Sequence, residues 1–251
     1  MIIFYILCFF FLFLFFIYNF FSRKVELLFY ENKKGCLKTP EDYRVVYETV
    51  CFNSTDGVEL KGWFVPSKTE SDTTVIITHK DGENKSDVLD LTIDLYERFN
   101  LFYFDFRGCG ESKGSFFSYG VYEIKDIEGA LNFLRSFRED YSRNIIIFAS
   151  STIFLAVLRI IKDEDLKAIF RDPADDIYEY LKEKAKREFN LFILPKYFIK
   201  RFLEMELPKI DISLVPKNKT LIFSNKPFYD FNVINYKDDR ELKLKLKEIN
   251  F

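Results

Sequence analysis

The sequence is poor in the residue types that most often carry chemistry. Among its 251 residues it has one histidine, one tryptophan and four cysteines. The cysteines form neither a CxxC pair nor a metal-ligand spacing, so we expect free thiols and predict no metal site. A glycine cluster at 108–114 lacks the spacing that cradles phosphates, and we predict no cofactor. A formal net charge of −2 with interspersed signs leaves no basic face, which argues against nucleic acid as a partner.

Charge is also missing from the first 22 residues, which form one long apolar run. A helix of that length spans about 33 Å, enough to cross a hydrocarbon core of roughly 30 Å. Because the run has neither the basic start nor the small-residue cleavage site of a signal peptide, we predict that residues 1–22 are a transmembrane anchor in a lipid bilayer. Basic residues begin at Arg23 and Lys24. The positive-inside rule therefore predicts a single-pass membrane protein with its domain on the cytoplasmic side.

The rest of the chain is long enough for one domain, and we divide it into a charged linker, 23–48, and a domain, 49–251. After an Asp-Gly hairpin signal at Asp56, short apolar runs alternate with segments of helical spacing. The apolar runs predict buried strands at 73–79, 100–107, 144–150, 166–170 and 220–224. Strands that alternate with helices indicate an α/β fold, in which helices cover both faces of a mostly parallel sheet.

Three further segments complete the predicted domain. Residues 86–98 have the apolar spacing of a helix. Residues 173–210 mix polar and apolar helical positions, and we interpret them as a lid-like excursion between two core strands. Residues 241–251 begin with strictly alternating Leu and Lys. Because a period of two is typical of a half-buried strand, we predict the edge strand of the sheet there.

Two motifs carry a resemblance to a known family. They are D-G-V-E-L-K-G-W, which begins at Asp56, and D-F-R-G-C-G-E-S, which begins at Asp105. Together with a strand that ends at His79, they resemble the membrane-anchored serine hydrolases of the α/β-hydrolase fold, over about residues 38–172. The resemblance implies an eight-stranded sheet and a Ser-Asp-His triad that hydrolyses esters or thioesters.

The resemblance places the nucleophile on a sharp turn between a strand and a helix, and Ser151 occupies that position. The family has a glycine on each side of this turn, where the sequence has Ala149 and Ile153. We expect the branched side chain of Ile153 to open the turn or to swing the serine, since backbones approach closely there, and we expect Ser151 to be mostly buried or to cap its own helix. Ser151 is therefore either a helix N-cap, which we favour, or a working nucleophile. The oxyanion hole would draw backbone amides from Thr152 and Lys80.

The catalytic base is the decisive gap. His79 stands in the position of the oxyanion loop, and it is a weak alternative base that we expect instead to fix its own loop. The family's histidine follows the last strand, and the sequence reaches Phe251 at the end of the predicted edge strand, before such a loop. Asp230 is a weak candidate for the triad acid and equally a loop carboxylate. We predict a catalytically impaired or non-catalytic protein that binds a small acyl ligand or a protein partner, the alternative being an active hydrolase that uses Ser151.

Overall fold

The alternating apolar runs assemble side by side in a single sheet. In a computed structural model of the protein, the described residues are 1–30, 33–162, 166–174, 176–204, 217–224, 228, 231 and 233–249. Within them the strands are β1 (Glu48–Asn53), β2 (Glu59–Val65), β3 (Thr73–Ile77), β4 (Asn100–Phe104), β5 (Asn144–Ser150), β6 (Lys167–Arg171), β7 (Thr220–Phe223) and β8 (Val233–Ile234). Their order across the sheet is β1-β2-β4-β3-β5-β6-β7-β8.

The direction of the strands divides the sheet in two. Strand β2 pairs antiparallel with β1 and with β4, and every later pair is parallel. All residues of β4 are buried, because helices cover both faces of the parallel part. The prediction of an α/β fold with a mostly parallel sheet is therefore confirmed. The five predicted buried strands correspond to β3 through β7.

Helices cover both faces of this sheet. The α-helices are α1 (Ile2–Phe29), α2 (Leu89–Thr92), α3 (Glu123–Phe137), α4 (Ile153–Ile161), α5 (Ile177–Phe189), α6 (Lys196–Leu203) and α7 (Asp239–Lys247). Short 3-10 turns lie at Pro40–Tyr43, Ile93–Glu97, Glu139–Tyr141 and Lys217–Lys219. One face packs against α3 to α6 and the end of α1, and the other against α2 and α7.

The predicted edge strand at 241–251 is wrong, because most of that segment forms α7. The side chain of Asp238 accepts hydrogen bonds from the backbone amides of Arg240 and Glu241 and so begins the helix. Leucines spaced four apart share one face of a helix as well, and Leu242 and Leu246 are buried against the sheet while Leu244 is exposed. The eighth strand is β8 instead, and the loop that follows it is 235–238.

Two other boundaries differ from the predictions. Helix α1 continues beyond residue 22 to Phe29, because Val25, Leu28 and Phe29 form a stripe that is buried in the core. The first part of the predicted linker is therefore helical. The helix predicted at 86–98 is only one turn long and is followed by a 3-10 turn, with its apolar positions still buried.

Candidate active site

Ser151 lies on a sharp turn between β5 and α4. Its backbone is left-handed, with φ 54°, a conformation that costs a residue with a side chain about 1–2 kcal/mol. Hydrogen bonds hold the turn: the Ser151 amide donates to the Arg171 carbonyl, and the Ser151 carbonyl accepts from the amides of Phe154 and Ala174. The residue is 9% exposed. The turn of a nucleophile elbow is therefore retained, and the expectation that Ile153 opens it is wrong. The N-cap of α4 is Thr152, so the favoured interpretation of Ser151 as the helix cap is wrong as well.

The turn accommodates Ile153 because the close backbone approach lies at another residue. Its side chain is fully buried in the core beside α4. The close backbone approach occurs on the other side of the turn, at Gly120, whose φ is 94°. A Cβ at Gly120 would lie 2.7 Å from the carbonyl oxygen of Thr152. A glycine from a neighbouring loop thus supplies the room that the family obtains from glycines in the elbow.

His79 is fully buried, and both of its ring nitrogens are engaged with the backbone. Nδ1 donates to the carbonyl oxygen of Lys80 at 2.9 Å, and Nε2 accepts from the amide of Phe106 at 3.1 Å. The ring also contacts the aromatic rings of Phe106 and Phe117. In this arrangement the imidazole fixes its loop and has no nitrogen left to take a proton from Ser151.

Of the two backbone amides implied for an oxyanion hole, that of Lys80 already binds a carboxylate. The backbone amide of Lys80 donates to the carboxylate of Glu83 at 3.4 Å, and the Lys80 ammonium lies 3.4 Å from the same carboxylate. Thr152 is buried at the start of α4. An oxyanion hole stabilises developing negative charge with free donors, whereas here a carboxylate of the same loop already occupies the Lys80 amide.

A polar group that the sequence did not predict, made of Tyr180, Asp81 and Lys184, covers Ser151. The hydroxyl of Tyr180 on α5 lies close enough to Ser151 for that serine to lower the pKa of the phenol, and the hydroxyl donates to the carboxylate of Asp81 in the loop after β3. Lys184, one turn further along α5, donates to the same carboxylate at 2.9 Å. Burial and the neighbouring Asp81 charge raise the pKa of Tyr180, which therefore stays protonated and is a poor base.

This polar group reaches helix α1. Lys184 also donates to the hydroxyl of Tyr119 at 2.9 Å, and that hydroxyl donates to the carbonyl oxygen of Leu28 near the end of α1. The side chains of Asp81 and Lys184 are each only 7% exposed. The spacing of Tyr180 and Lys184 does indicate one face of a helix. Contact with Asp81, far away in the sequence, has no local signal.

The loop where the resemblance locates the triad histidine is described, and it holds Asn235, Tyr236, Lys237 and Asp238. Tyr236 donates its hydroxyl to the carboxylate of Asp172, which follows β6 with a left-handed backbone, φ 44°. Burial, with the Asp172 carboxylate second, raises the pKa of Tyr236 to about 12. Tyr236, which stays protonated at neutral pH, therefore lies on the loop where the resemblance implies the catalytic histidine. Asp230 lies outside the described residues.

One cluster has the composition of a metal site. Cys36, Asp105 and Glu111 bring ligand atoms within 4.8 Å of one another. The ammonium of Lys85 already lies 2.5 Å from each of the two carboxylates and 4.7 Å from the centre of the Trp63 ring. A buried cation therefore already balances the carboxylates, and the cluster is an ion-pair network of the scaffold.

The motifs that carry the resemblance form a scaffold beside the site. Arg107 binds Asp56 through both terminal nitrogens, at 2.7 and 3.0 Å, and thereby joins the two motifs. Its Nε and backbone amide bind the fully buried carboxylate of Asp126, each at 2.9 Å. A Cβ at Gly110 would collide with the Asp105 carboxylate, which explains why a glycine is needed there.

Comparison with known proteins supports this architecture. No family model matches the sequence. The uncharacterized protein YfhR of Escherichia coli K12 is 34% identical over 127 residues, which cover 49% of this chain and 44% of YfhR. The α/β hydrolase domain-containing protein WAV2 of Arabidopsis thaliana is 28% identical over 116 residues, 45% of this chain and 37% of WAV2. The chain thus matches less than half the length of these relatives.

Solved structures show the same fold. The Pyrococcus furiosus esterase Pf2001 superposes with a TM-score of 0.60 at 22% identity, over 78% of this chain and 75% of its own. A serine hydrolase of Xanthomonas campestris described as having no lid superposes with a TM-score of 0.53 at 14% identity, over 80% and 90%. The chain adopts the α/β-hydrolase fold, and the plant relative supports an α/β-hydrolase family.

Proposed function

We propose that this chain is a membrane-tethered protein of the α/β-hydrolase fold that acts by binding and does not turn over substrate as a serine hydrolase. The observation that carries the proposal is the set of contacts made by His79 and by the tyrosine beside Ser151. Both nitrogens of His79 bind backbone groups, and the phenol of Tyr180 beside Ser151 keeps its proton and hydrogen-bonds the carboxylate of Asp81. A serine hydroxyl is a weak nucleophile until an adjacent base takes its proton.

The expected loss of rate is large. Removal of the base from a serine-hydrolase triad typically lowers kcat by about 10⁶-fold. The Lys80 amide, which would contribute to the oxyanion hole, is bound to Glu83 as well. Binding of a small acyl ligand or a protein partner needs none of these groups. The fold therefore remains suited to recognition after the chemistry is lost.

Ester turnover by the full chain in detergent tests the proposal. p-Nitrophenyl acetate and butyrate are suitable probes, and the variant Ser151→Ala is the matched control. We expect the wild type and the variant to release p-nitrophenol at the same rate, because Ser151 contributes nothing. Saturable turnover that disappears in the variant would contradict the proposal.

An active serine hydrolase of acyl esters or thioesters is the second candidate. The left-handed backbone of Ser151 favours it, because a non-glycine residue in that conformation stores strain of the kind found at functional turns. That reading requires Tyr180 on α5 to move away and another group to accept the serine proton. The family supplies that group on the loop after its last strand, and residues 235–238 of this loop include Tyr236 and no histidine. Asp230 stays the weak candidate for the triad acid.

The membrane tether is the second part of the proposal. Helix α1 is 28 residues long, and an 18-residue window of it has a mean hydropathy of 2.5 and is not buried in the protein. Arg23 and Lys24 follow the apolar run and support an orientation with the domain in the cytoplasm. Protease added to intact cells should leave the domain whole, and protease added after lysis should cut it. Digestion in intact cells would refute this orientation.

A further inference from the structure

A group of exposed apolar side chains lies where the chain enters α6. Phe192, Ile193 and Tyr197 are 66%, 69% and 59% exposed, and we call these three residues the α6 patch. The neighbouring Leu194 and Ile199 are buried, so the segment is anchored to the domain. Apolar surface is more stable when it is removed from water, and adjacent exposed apolar residues therefore mark a contact surface.

Helix α6, which carries Tyr197 of the α6 patch, packs against the apolar helix α1, and the ring of Tyr197 lies beside that of Phe198. The ring of Phe198 lies 5.4 Å from that of Tyr18 and 5.6 Å from that of Phe21, and Phe202 stacks on Phe29 at 4.5 Å. Helix α6 thus runs alongside the last turns of α1 in the same direction. The start of α6 lies beside Tyr18 and Phe21, near the end of the apolar run of α1. The α6 patch, at the start of α6, is therefore on the side of the domain from which this run emerges.

The charge of the same segment fits a membrane surface. Residues 190–203 contain three basic residues, Lys196, Lys200 and Arg201, and no acidic residue. On α1, the ammonium of Lys24 lies 4.7 Å from the centre of the ring of Phe189, at the end of α5. Basic residues are attracted to an anionic leaflet, and aromatic residues with them are typical of helices that lie in the interface.

We infer that the α6 patch inserts into the leaflet of the lipid bilayer from which α1 emerges, with the basic residues of 190–203 at anionic headgroups. The inference rests on the proposed membrane tether, since α1 fixes the patch at the membrane. A bilayer is the occupant that the observations favour, because the patch adjoins the spanning helix and its rim is basic. A second copy of the chain would meet a rim of the same charge.

Membrane contact of the α6 patch also bears on the site. The hydroxyl of Tyr178 on α5 donates to the carbonyl of Leu194 at 2.8 Å, and the amide of Leu191 donates to the carbonyl of Ala185. The patch is therefore joined to the helix that carries Tyr180 over Ser151. Insertion in the leaflet would hold α5 in a fixed position above the sheet.

Depth-dependent fluorescence quenching in the full chain tests the inference. Phe192→Trp is compared with Phe137→Trp, a matched control at a side chain 73% exposed at the end of α3. Both variants keep the buried native Trp63, whose signal is subtracted by means of the wild type. They are reconstituted in vesicles of equal parts phosphatidylcholine and phosphatidylglycerol, with or without bromine on the acyl chains. We expect a roughly twofold loss of fluorescence for Phe192→Trp in brominated vesicles and no loss for Phe137→Trp.

The outcomes separate the inference from the tether on which it rests. Flotation of the wild type with the vesicles reports on α1, and failure to float would refute the tether and the inference with it. Flotation without quenching of Phe192→Trp would overturn the inference and leave the tether intact. Quenching that weakens as the ratio of protein to lipid rises would indicate a second copy over the patch and would also overturn it.

Discussion

Two regions at the carboxyl ends of the central strands, around Arg107 and around Ser151, differ in how far they keep the features of the family that the sequence resembles. Around Arg107, the motif residues bind one another: Asp56 from the hairpin and Asp126 from α3 meet the same guanidinium. Around Ser151, the backbone turn is retained, but the phenol of Tyr180 on α5 lies nearby and hydrogen-bonds Asp81. The difference teaches that the recognisable motifs specify the frame, whereas the chemistry depends on residues outside them.

The largest expected effect is in the motif region. Arg107→Met leaves the buried carboxylate of Asp126 without its ion-pair partner, and breaking a buried pair in this way typically costs about 3–5 kcal/mol. Urea unfolding of the full chain in detergent measures the loss. Arg143→Met is the control, since Arg143 is exposed and its contact with Asp140 is long, so a change below about 0.5 kcal/mol is expected. Equal effects of the two variants would contradict the structural role of the motif.

The next effect concerns the elbow. Gly120→Ala forces a Cβ to within 2.7 Å of the Thr152 carbonyl at a residue with positive φ, and we expect a loss of about 2–4 kcal/mol. Gly57→Ala is the matched control, because Gly57 also has a positive φ but open space around it. That variant should lose only the conformational part, about 1–2 kcal/mol. Thermal unfolding of both variants checks the difference, and indistinguishable melting temperatures would refute the close approach.

The elbow also illustrates how much the sequence could predict. Its location follows from the apolar run before Ser151, and the parallel sheet follows from the alternation of such runs. The tolerance of Ile153 does not follow, because the compensating Gly120 lies on another loop. Likewise, the alternating leucines of α7 fit a helix and a strand equally well near the chain's end. The cap at Asp238 and packing against the sheet decide between them.

The cover over Ser151 was the least predictable part of the site. Tyr180 and Lys184 meet Asp81 only because α5 folds back across the loop after β3. The expectation that the sequence reaches Phe251 before the loop of the triad histidine is wrong, because a loop follows β8 and carries Tyr236. Absence of a residue type is readable from sequence, whereas a contact between distant segments is not.

A smaller effect is expected at this cover. Tyr180→Phe removes the hydroxyl that donates to the buried Asp81 carboxylate, and a hydrogen bond to a charged group contributes about 1.5–3 kcal/mol. Lys184 still neutralises Asp81, so we expect a value near the lower end. Tyr197→Phe, on an exposed ring, is the control and should be close to neutral. A Tyr180→Phe variant as stable as wild type would indicate that α5 does not rest on the site.

The smallest effect is one of pH. The guanidinium of Arg107 lowers the pKa of Asp56 below its ordinary 3.8. Because the folded pKa is the lower one, the ionised carboxylate stabilises the fold above about pH 4, and this stabilisation is lost as the pH falls further. The difference in melting temperature between wild type and Asp56→Asn should therefore be constant near neutral pH and shrink below about pH 4. A difference that grows on acidification would contradict this sign.

The claim that Ser151 is not activated is tested most directly by a fluorophosphonate, which reacts with serines whose proton is taken by a base. The full chain in detergent is exposed to the probe, and intact-mass spectrometry counts the adducts, with Ser151→Ala as the control and an active serine hydrolase in the same tube as proof that the probe works. The account predicts that the wild type carries no more adduct than Ser151→Ala, both before and after Tyr180→Phe removes the covering hydroxyl. One adduct per chain on Ser151 of the wild type would contradict it and would restore the hydrolase reading.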